Sequence, residues 1–176
     1  MIALRHEHPA DVKAREALLN EAFGETRARK TSQRLRENRL PADGLSLVAA
    51  EGRRVIGTAR LWHVACASGQ AALLLGPVAV AADCRNRGIG AALVRRALRE
   101  ARQLGHGAVM LVGDPHYYGR FGFSVEKTAT VRLPGPFERH RLLAFELVPG
   151  ALDGAAGLIH ATGRVAYRSD LAALAA

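Results

Sequence analysis

The chain has 176 residues and a net charge of +9, from 25 Lys and Arg against 16 Asp and Glu. This length predicts a single domain over residues 1–176, and 49% apolar with 23% charged residues excludes a disordered chain. No apolar run reaches the roughly 18 residues of a membrane span, and the charged N-terminus lacks the apolar stretch of a signal peptide. Cys66 and Cys84 form neither a disulfide framework nor a metal-ligand pair, so we expect a cytoplasmic, reduced protein without a metal.

The positive charge is almost entirely arginine, since 22 of the 25 cations are Arg in a chain rich in Ala. So uniform a bias is more typical of genome-wide base composition than of a dedicated nucleic-acid surface. The excess charge nevertheless favours polyanionic ligands over cationic ones.

The first elements are a helix and a hairpin. Asp11 is placed to cap a helix whose apolar residues recur at helical spacing as far as Phe23. The Arg-rich stretch Arg27–Arg39 is compatible with a second short helix that ends before Pro41. Two alternating segments, 45–51 and 55–64, then flank the turn Glu51-Gly52-Arg53-Arg54 and predict a β-hairpin.

A strand–helix–strand crossover follows. The third strand, Ala71–Val80, contains Gly76-Pro77, and because proline cannot donate to the ladder, the strand must bulge or lose a pairing there. The segment from Gly88 to Gly105 predicts the best helix, with Arg95, Arg99 and Arg102 turned outward. Its apolar stripe comprises Ala91, Val94, Leu98, Ala101 and Leu104.

The remaining segments predict a buried strand at 108–112, a short helical turn from Pro115, and strands around 124–132 and 141–147. An irregular extension is expected from about residue 150. The order of the elements predicts an α+β fold with a mixed sheet.

The strongest chemical signal is the turn between the third strand and the long helix, residues 85–91, with the sequence RNRGIGA. Glycines at the mouth of a helix let a ligand approach the backbone, and the free N–H groups there point outward. With the helix dipole and two arginines, they form a site suited to a diphosphate. The alternative is that Gly88 and Gly90 only permit a tight turn and close helix–sheet packing.

Two other phosphate-binding patterns fit less well. The Walker pattern is excluded because no Gly-Lys pair occurs at the turn. The dinucleotide pattern G-x-G-x-x-G would need a third glycine where Leu93 stands, and Asp114 would be its only ribose-binding acid. Repeated strand–helix units are also absent, so this pattern is disfavoured.

The turn resembles the [QR]-x-x-G-x-[GA] motif of the GNAT superfamily, the Gcn5-related N-acetyltransferases. Its place between a G-P-V-A-V strand and a long amphipathic helix is also similar to that family. Residues 113–123 (GDPHYYGRFGF) resemble the second family signature, in the form found in small stand-alone bacterial members. The resemblance implies a mostly antiparallel twisted sheet flanked by helices, with a splayed central strand pair.

The resemblance also implies where acetyl-CoA binds. The turn would hold the pyrophosphate through backbone N–H groups, and Arg85 and Arg87 would add charge. The residues of this turn are Arg85, Arg87, Gly88, Ile89, Gly90 and Ala91. Val78, Ala79 and Val80 would offer strand backbone to the pantetheine arm, which requires a gap between this strand and 108–112. A bulge at Pro77 gives a physical reason for that gap.

Tyr118 matches the family's tyrosine and would donate its hydroxyl proton to the departing CoA thiolate. A phenol has a pKa of about 10 and a cysteine-like thiol one of about 8.5, so hydrogen bonding describes this step better than full transfer. For Tyr117 a packing role is favoured.

No general base is identified, because the segment 71–80 contains no Asp or Glu. Six residues elsewhere are candidates: Glu21, Glu25, Asp43, His63, Asp114 and His116. Deprotonation through water, with both substrates held in place, is the remaining option.

The resemblance implies an acyltransferase that acetylates a small-molecule or peptide amine, with no nucleic acid and no membrane, as a monomer or homodimer. The loop 133–142, with Phe137 at its tip, and the N-terminal helices would wall the acceptor site. A catalytically weak acyl-CoA sensor is the alternative, because the strand acid is missing. A nucleic-acid module built on Arg27–Arg39 is disfavoured, because the stretch lacks aromatic residues for base stacking and is more typical of a solvated helical face.

Overall fold

The computed structural model describes residues 1–167 and 170, and the rest of the predicted C-terminal extension lies outside the described residues. The strands are β1 (Ile2–His6), β2 (Ser46–Glu51), β3 (Arg54–Cys66), β4 (Ala71–Val80), β5 (Ala108–Val112), β6 (Val131–Arg132), β7 (Leu142–Glu146) and β8 (Gly157–Ala161). The α-helices are α1 (Val12–Phe23), α2 (Ile89–Gln103) and α3 (Pro115–Tyr118), joined by short 3-10 turns.

The sheet follows the order β1-β2-β3-β4-β5-β7. Only the β4–β5 pair along this path is parallel, and β8 pairs with the end of β3 and with β6. The predicted α+β fold with a mixed, mostly antiparallel sheet is therefore confirmed. No helix in the described part of the chain is long and apolar enough to cross a membrane.

Successive side chains of a strand point to opposite faces of the sheet, so the core is divided into two clusters. Leu73 and Leu75 of β4 pack in the cluster that includes the apolar residues of α1 and α2. Leu74, on the opposite face, packs with Trp62 and with residues of the C-terminal loops, such as Leu152. Each face of the sheet is thus buried, which explains why β4 and β5 are almost continuously apolar.

The central strands diverge after a short contact. β4 and β5 pair only at Leu73–Val109 and Leu74–Met110, although β4 continues to Val80. On the other side of β4, the register with β3 shifts across Gly76-Pro77, which is a cis peptide. The bulge predicted from Pro77 and the splayed strand pair implied by the family resemblance are both confirmed.

The long helix is confirmed, but its stripe is shifted. α2 begins after Gly88, which adopts a left-handed conformation, and it ends at Gln103. Leu104 is 54% exposed and does not belong to the stripe, because the helix ends before it. The arginines predicted to face outward are exposed. The buried residues are Ile89, Leu93, Val94, Ala97, Leu98 and Ala101.

Four local expectations are wrong. The N-terminal strand β1 was missed, because it has only five residues and is stabilised by pairing with β2. The stretch Arg27–Arg39 forms 3-10 turns rather than a helix. The strand expected at 124–132 is reduced to β6 and one bridge from Ser124. The extension expected to be irregular contains β8, whose pairing with β3 is a long-range contact.

Candidate active site

The turn before α2 presents open backbone. Gly88 has a φ of 75° and Asn86 a φ of 62°, and a Cβ on Gly88 would meet nothing within 4 Å. The first helical hydrogen bond runs from the N–H of Ala92 to the carbonyl of Gly88, so the N–H groups of residues 89–91 precede the helical pattern. This backbone and the helix dipole favour an anion here.

Gly90 has a different role from Gly88. A Cβ at Gly90 would lie 3.1 Å from the hydroxyl oxygen of Tyr117 and 3.6 Å from Cγ2 of Val80. Close packing therefore explains Gly90, while the left-handed backbone explains Gly88. Tyr117, predicted to be a packing residue, joins the first turn of α2 to the next segment of the site.

The two arginines of the turn are placed differently. The guanidinium of Arg87 lies 3.2 Å from Glu51 and donates to Sγ of Cys84 at 3.5 Å. The hydrogen bond to Glu51 raises the pKa of Arg87. Arg85 is exposed at the surface of the turn. Both arginines thus place positive charge at the turn, and the side chain of Arg87 also pairs with Glu51 of strand β2.

The edge of β4 offers backbone groups to the gap. The N–H of Ala81 donates to the carbonyl of Ile56 at 2.9 Å, and backbone direction alternates along an antiparallel pair. The groups of Ala79 therefore also face β3, opposite Thr58. Those of Val78 and Val80 point to the side from which β5 has diverged. Of the three predicted residues, only these two can pair with a ligand there.

A cavity of about 450 Å³ lies at the bulge of β4. Three segments contribute to it: the β4 bulge and the end of β5, the N-terminal region from Phe23 to Arg36, and the loop 133–141. Its lining includes Phe23, Arg27, Lys30, Arg36, Leu75, Gly76, Pro77, Val78, Val112, Asp114, Tyr118, Leu133, Phe137, Glu138 and Arg141. The predicted acceptor wall, with Phe137, surrounds this cavity.

The ring of Tyr118 is held by aromatic neighbours. Its centroid lies 4.9 Å from that of Tyr117 and 6.0 Å from that of Phe123, both in edge contacts. Gly113 leaves room for it, because a Cβ there would collide with the Tyr118 ring. Burial, with a smaller contribution from Tyr117, raises the pKa of Tyr118 to about 12. The hydroxyl is therefore protonated at neutral pH and can donate a hydrogen bond.

The candidate bases are scattered. Only Asp114 lines the cavity, and its carboxylate accepts from the N–H of His116 at 2.9 Å, capping α3. Asp43 and His63 line a second, separate cavity of about 330 Å³. Glu21 and His116 are exposed and line neither of these cavities, and the side chain of Glu25 lies outside what the structure describes.

Sequence reasoning missed the charged residues of the cavity. Three of the six cations in Arg27–Arg39 line it, namely Arg27, Lys30 and Arg36, so the stretch is not simply a solvated face. Glu138 also lines it and lies 3.7 Å from Arg141. The density of cations in this stretch was the available signal, but its position opposite the β4 bulge depends on the tertiary structure.

The chain is similar to proteins of an acetyltransferase family over most of its length. The profile of the acetyltransferase (GNAT) family matches residues 13–123. An Escherichia coli K12 protein described as "Uncharacterized N-acetyltransferase YhbS" is 31% identical over 158 residues, which cover 89% of this chain and 93% of that protein.

Solved structures give the same result. The crystal structure of YhbS from Escherichia coli in complex with CoA has a TM-score of 0.75 at 29% identity, covering 91% of this chain and 89% of that one. A GNAT family acetyltransferase from Brucella melitensis, in complex with acetyl-CoA, has a TM-score of 0.63 at 26% identity over 97% and 98% of the two chains. Together with the open turn, the splayed strands and Tyr118, these similarities show that the chain belongs to the GNAT family of acetyltransferases.

Proposed function

We propose that the protein transfers an acetyl group from acetyl-CoA to a primary amine, which attacks the thioester directly. One observation carries the proposal: the open turn, the β4 edge and Tyr118 form a continuous track. A Cβ on Gly90 would lie within 3.6 Å of both Val80 and Tyr117, so the start of α2 adjoins both residues. The ring of Tyr117 packs on Tyr118, and Tyr118 lines the same cavity as Val78. Two substrates that meet at the β4 bulge would therefore lie beside the phenol.

The residues along this track fit acetyl-CoA. The backbone N–H groups of Ile89, Gly90 and Ala91 and the charges of Arg85 and Arg87 would hold the pyrophosphate, because Gly88 leaves their approach open. Val78 and Val80 would pair with the amide groups of the pantetheine arm in the gap left by β5. When bound, acetyl-CoA supplies an activated acyl group and a thiolate leaving group.

Two groups of the protein act on the reacting atoms. The N–H of Val78 points into the gap and would stabilise the negative charge that develops on the thioester oxygen. The Tyr118 hydroxyl would donate a hydrogen bond to the departing sulfur. Its pKa of about 12 makes full proton transfer to a thiolate unfavourable, so Tyr118 acts by hydrogen bonding in this proposal.

The amine would lose its proton through water. Asp114 and Glu138 are the acidic residues in the described lining of the cavity, and each already has a partner in α3 or in Arg141. Holding the amine next to the thioester can by itself supply a large part of the rate enhancement.

The test is the release of free CoA thiol from acetyl-CoA in the presence of a panel of amines. Amine-dependent release is the expected result. Stabilisation by CoA without release with any amine would contradict the proposal and support the alternative, an acyl-CoA sensor. An enzyme that releases thiol only with alcohols would retain acyl transfer but overturn the amine acceptor.

A further inference from the structure

The cavity beside Tyr118 contains a cation without an acidic partner. A Cβ on Gly76 would lie 3.1 Å from Nη2 of Arg36, so the guanidinium sits directly against the β4 bulge. Its Nε is inaccessible to solvent and has no hydrogen-bond partner among the described residues. Burial lowers the pKa of Arg36 to about 10, and no neighbouring carboxylate acts in the opposite direction.

The acids of the cavity form no ion pair with Arg36 or Lys30 in the described part of the chain. Burial, Arg141 and Arg36 all lower the pKa of Lys30, which places three positive groups close together. Glu138 lies near Arg141, at 3.7 Å, and Asp114 caps α3. A buried charge that lacks a partner is costly to the folded state, so its presence in a ligand cavity indicates an anionic ligand group.

The rest of the cavity is apolar and small. Phe23, Leu75, Pro77, Val112, Leu133 and Phe137 supply its apolar lining. A volume of about 450 Å³ is sufficient for a compact small molecule. The bulge at Gly76 precedes Val78 by two residues, or about 7 Å of strand, so an anion on Arg36 would lie near the position of the attacked carbonyl.

We propose that the acyl acceptor is an amino acid, or a related amino carboxylate with an apolar side chain, whose carboxylate is bound by Arg36. This inference rests on the acetyl transfer proposed above and names its substrate class. The amine and carboxylate of an amino acid are separated by one carbon, which matches the short distance from Arg36 to the reacting position. A guanidinium also binds a carboxylate through two parallel hydrogen bonds. Polyamines and lysine side chains are disfavoured, because they bring further positive charge to Lys30, Arg36 and Arg141.

The experiment compares each acceptor with a counterpart that lacks the carboxylate. Thiol release from acetyl-CoA is measured with L-leucine against L-leucinamide, L-phenylalanine against L-phenylalaninamide, and 1,4-diaminobutane. We expect kcat/KM to be about ten- to a hundredfold higher for each amino acid than for its amide. A difference in amine reactivity cannot cause this preference. The amides lack the neighbouring carboxylate, so their amines lose a proton more easily and would by themselves react faster than those of the amino acids.

Arg36→Gln should raise the KM for L-leucine by about ten- to a hundredfold and leave the KM for acetyl-CoA and the rate with L-leucinamide nearly unchanged. Its Tm should be equal to or higher than that of the wild type, because an unpaired buried charge has been removed. A large loss of Tm would show that Arg36 is structural and would overturn the inference. Arg36→Lys keeps the positive charge but cannot form the bidentate hydrogen bonds of a guanidinium. It should therefore retain part of the preference for amino acids over their amides.

Arg29→Gln is the matched control, since Arg29 is exposed in the same stretch and does not line the cavity. Equal or better rates with the amides or the diamine would overturn the amino-acid assignment while leaving acetyl transfer intact. No release with any acceptor would instead overturn the proposed function, and this inference with it.

Discussion

The position of the Tyr118 hydroxyl is set by contacts that each depend on a neighbouring residue. Gly113 must lack a side chain for the ring to fit, and Tyr117 and Phe123 pack against its edges. The same burial keeps the phenol protonated. Packing and protonation state therefore have one cause, the enclosure of the ring at the end of β5.

Tyr118→Phe should lower kcat by about ten- to a hundredfold, because only the hydrogen bond to the departing sulfur is lost. The KM for acetyl-CoA should hardly change. Because the pKa of Tyr118 is about 12, the ratio of wild-type to variant rate should stay constant from pH 7 to 10 and fall as the pH rises toward 12. Steady-state kinetics across this range provides the measurement.

Tyr117→Phe is the control for Tyr118→Phe, because it removes a hydroxyl that packs on Gly90 rather than one that lines the cavity. If the Tyr118→Phe enzyme were as fast as the wild type, the proposed hydrogen bond from Tyr118 to the departing sulfur would be ruled out.

A second prediction at the residue scale concerns stability. Glu7 forms ion pairs with Arg15 and Arg60, and the three side chains are at most 10% exposed. Glu7→Gln would leave the buried guanidinium of Arg60 without an anion and Arg15 with Glu16 alone, so we expect a loss of about 3–5 kcal/mol in the free energy of unfolding. Chemical denaturation measures this loss. The control Asp83→Asn, which breaks the exposed pair with Arg54, should cost less than about 1 kcal/mol.

At the scale of the elements, the site lies where regular pairing stops. β4 bulges at Gly76-Pro77, β5 leaves β4 after two paired residues, and α2 starts from a left-handed glycine. Each irregularity exposes backbone groups that a continuous sheet or helix would satisfy. The turn before α2 is proposed to bind acetyl-CoA, and the loop around Phe137 is proposed to bind the acceptor. Because the two are different elements, each can be tested with its own variant.

Gly88→Val should abolish detectable binding of CoA, because a β-branched residue strains the left-handed turn and covers the approach to the backbone N–H groups. Gly105→Val is the matched control at the other end of α2, where the glycine also has a positive φ, of 83°, and open space around it. Both variants should lose about 1–2 kcal/mol of stability, but only Gly88→Val should lose CoA in calorimetric titrations. Normal CoA binding by Gly88→Val would show that the turn is assigned wrongly.

Phe137→Ala should raise the acceptor KM by about five- to fiftyfold, because the ring forms part of the apolar lining of the cavity. The KM for acetyl-CoA should not change. His140→Ala, in the same loop but outside the lining, serves as the control. Unchanged acceptor KM and kcat in Phe137→Ala would place the acceptor elsewhere.

At the scale of the whole molecule, the sheet separates two cores and the surface carries the excess charge. A net charge of +9 attracts a polyphosphate such as CoA over distances that single contacts do not reach. Treating residues 1–176 as one domain stays a prediction.

The KM for acetyl-CoA should therefore rise several-fold between 0.1 M and 1 M salt, as the Debye length falls from about 10 Å to about 3 Å. The value of kcat should stay constant, because the reacting atoms are enclosed. A KM that does not respond to salt would mean that short-range contacts with backbone N–H groups account for the affinity. Kinetics with an amino-acid amide, which lacks the carboxylate that Arg36 is proposed to bind, separates this effect from any on carboxylate binding.

Local sequence patterns were sufficient to predict several elements of the fold. The hairpin β2–β3, helix α2 and the bulge at Pro77 were predicted because each depends on residues close together in the chain. The turn 85–91 and the segment around Tyr118 were predicted as site residues in the same way, since a glycine turn before a helix and an aromatic motif can be recognised within a few residues.

Strand β8 and the acceptor cavity required the tertiary structure. β8 exists by pairing with β3, about a hundred residues earlier, and Thr31 and Arg34 donate to carbonyls of the loop 133–141. The proposed role of Arg36 is the clearest case, because in the sequence it is one cation among six. Its guanidinium is desolvated because the side chain packs against Gly76, forty residues away. There its Nε has no hydrogen-bond partner among the described residues. The sequence by itself thus determined the glycine turn for which diphosphate binding is proposed, while long-range packing decided which charges line the cavity, because desolvation depends on contacts that no local pattern contains.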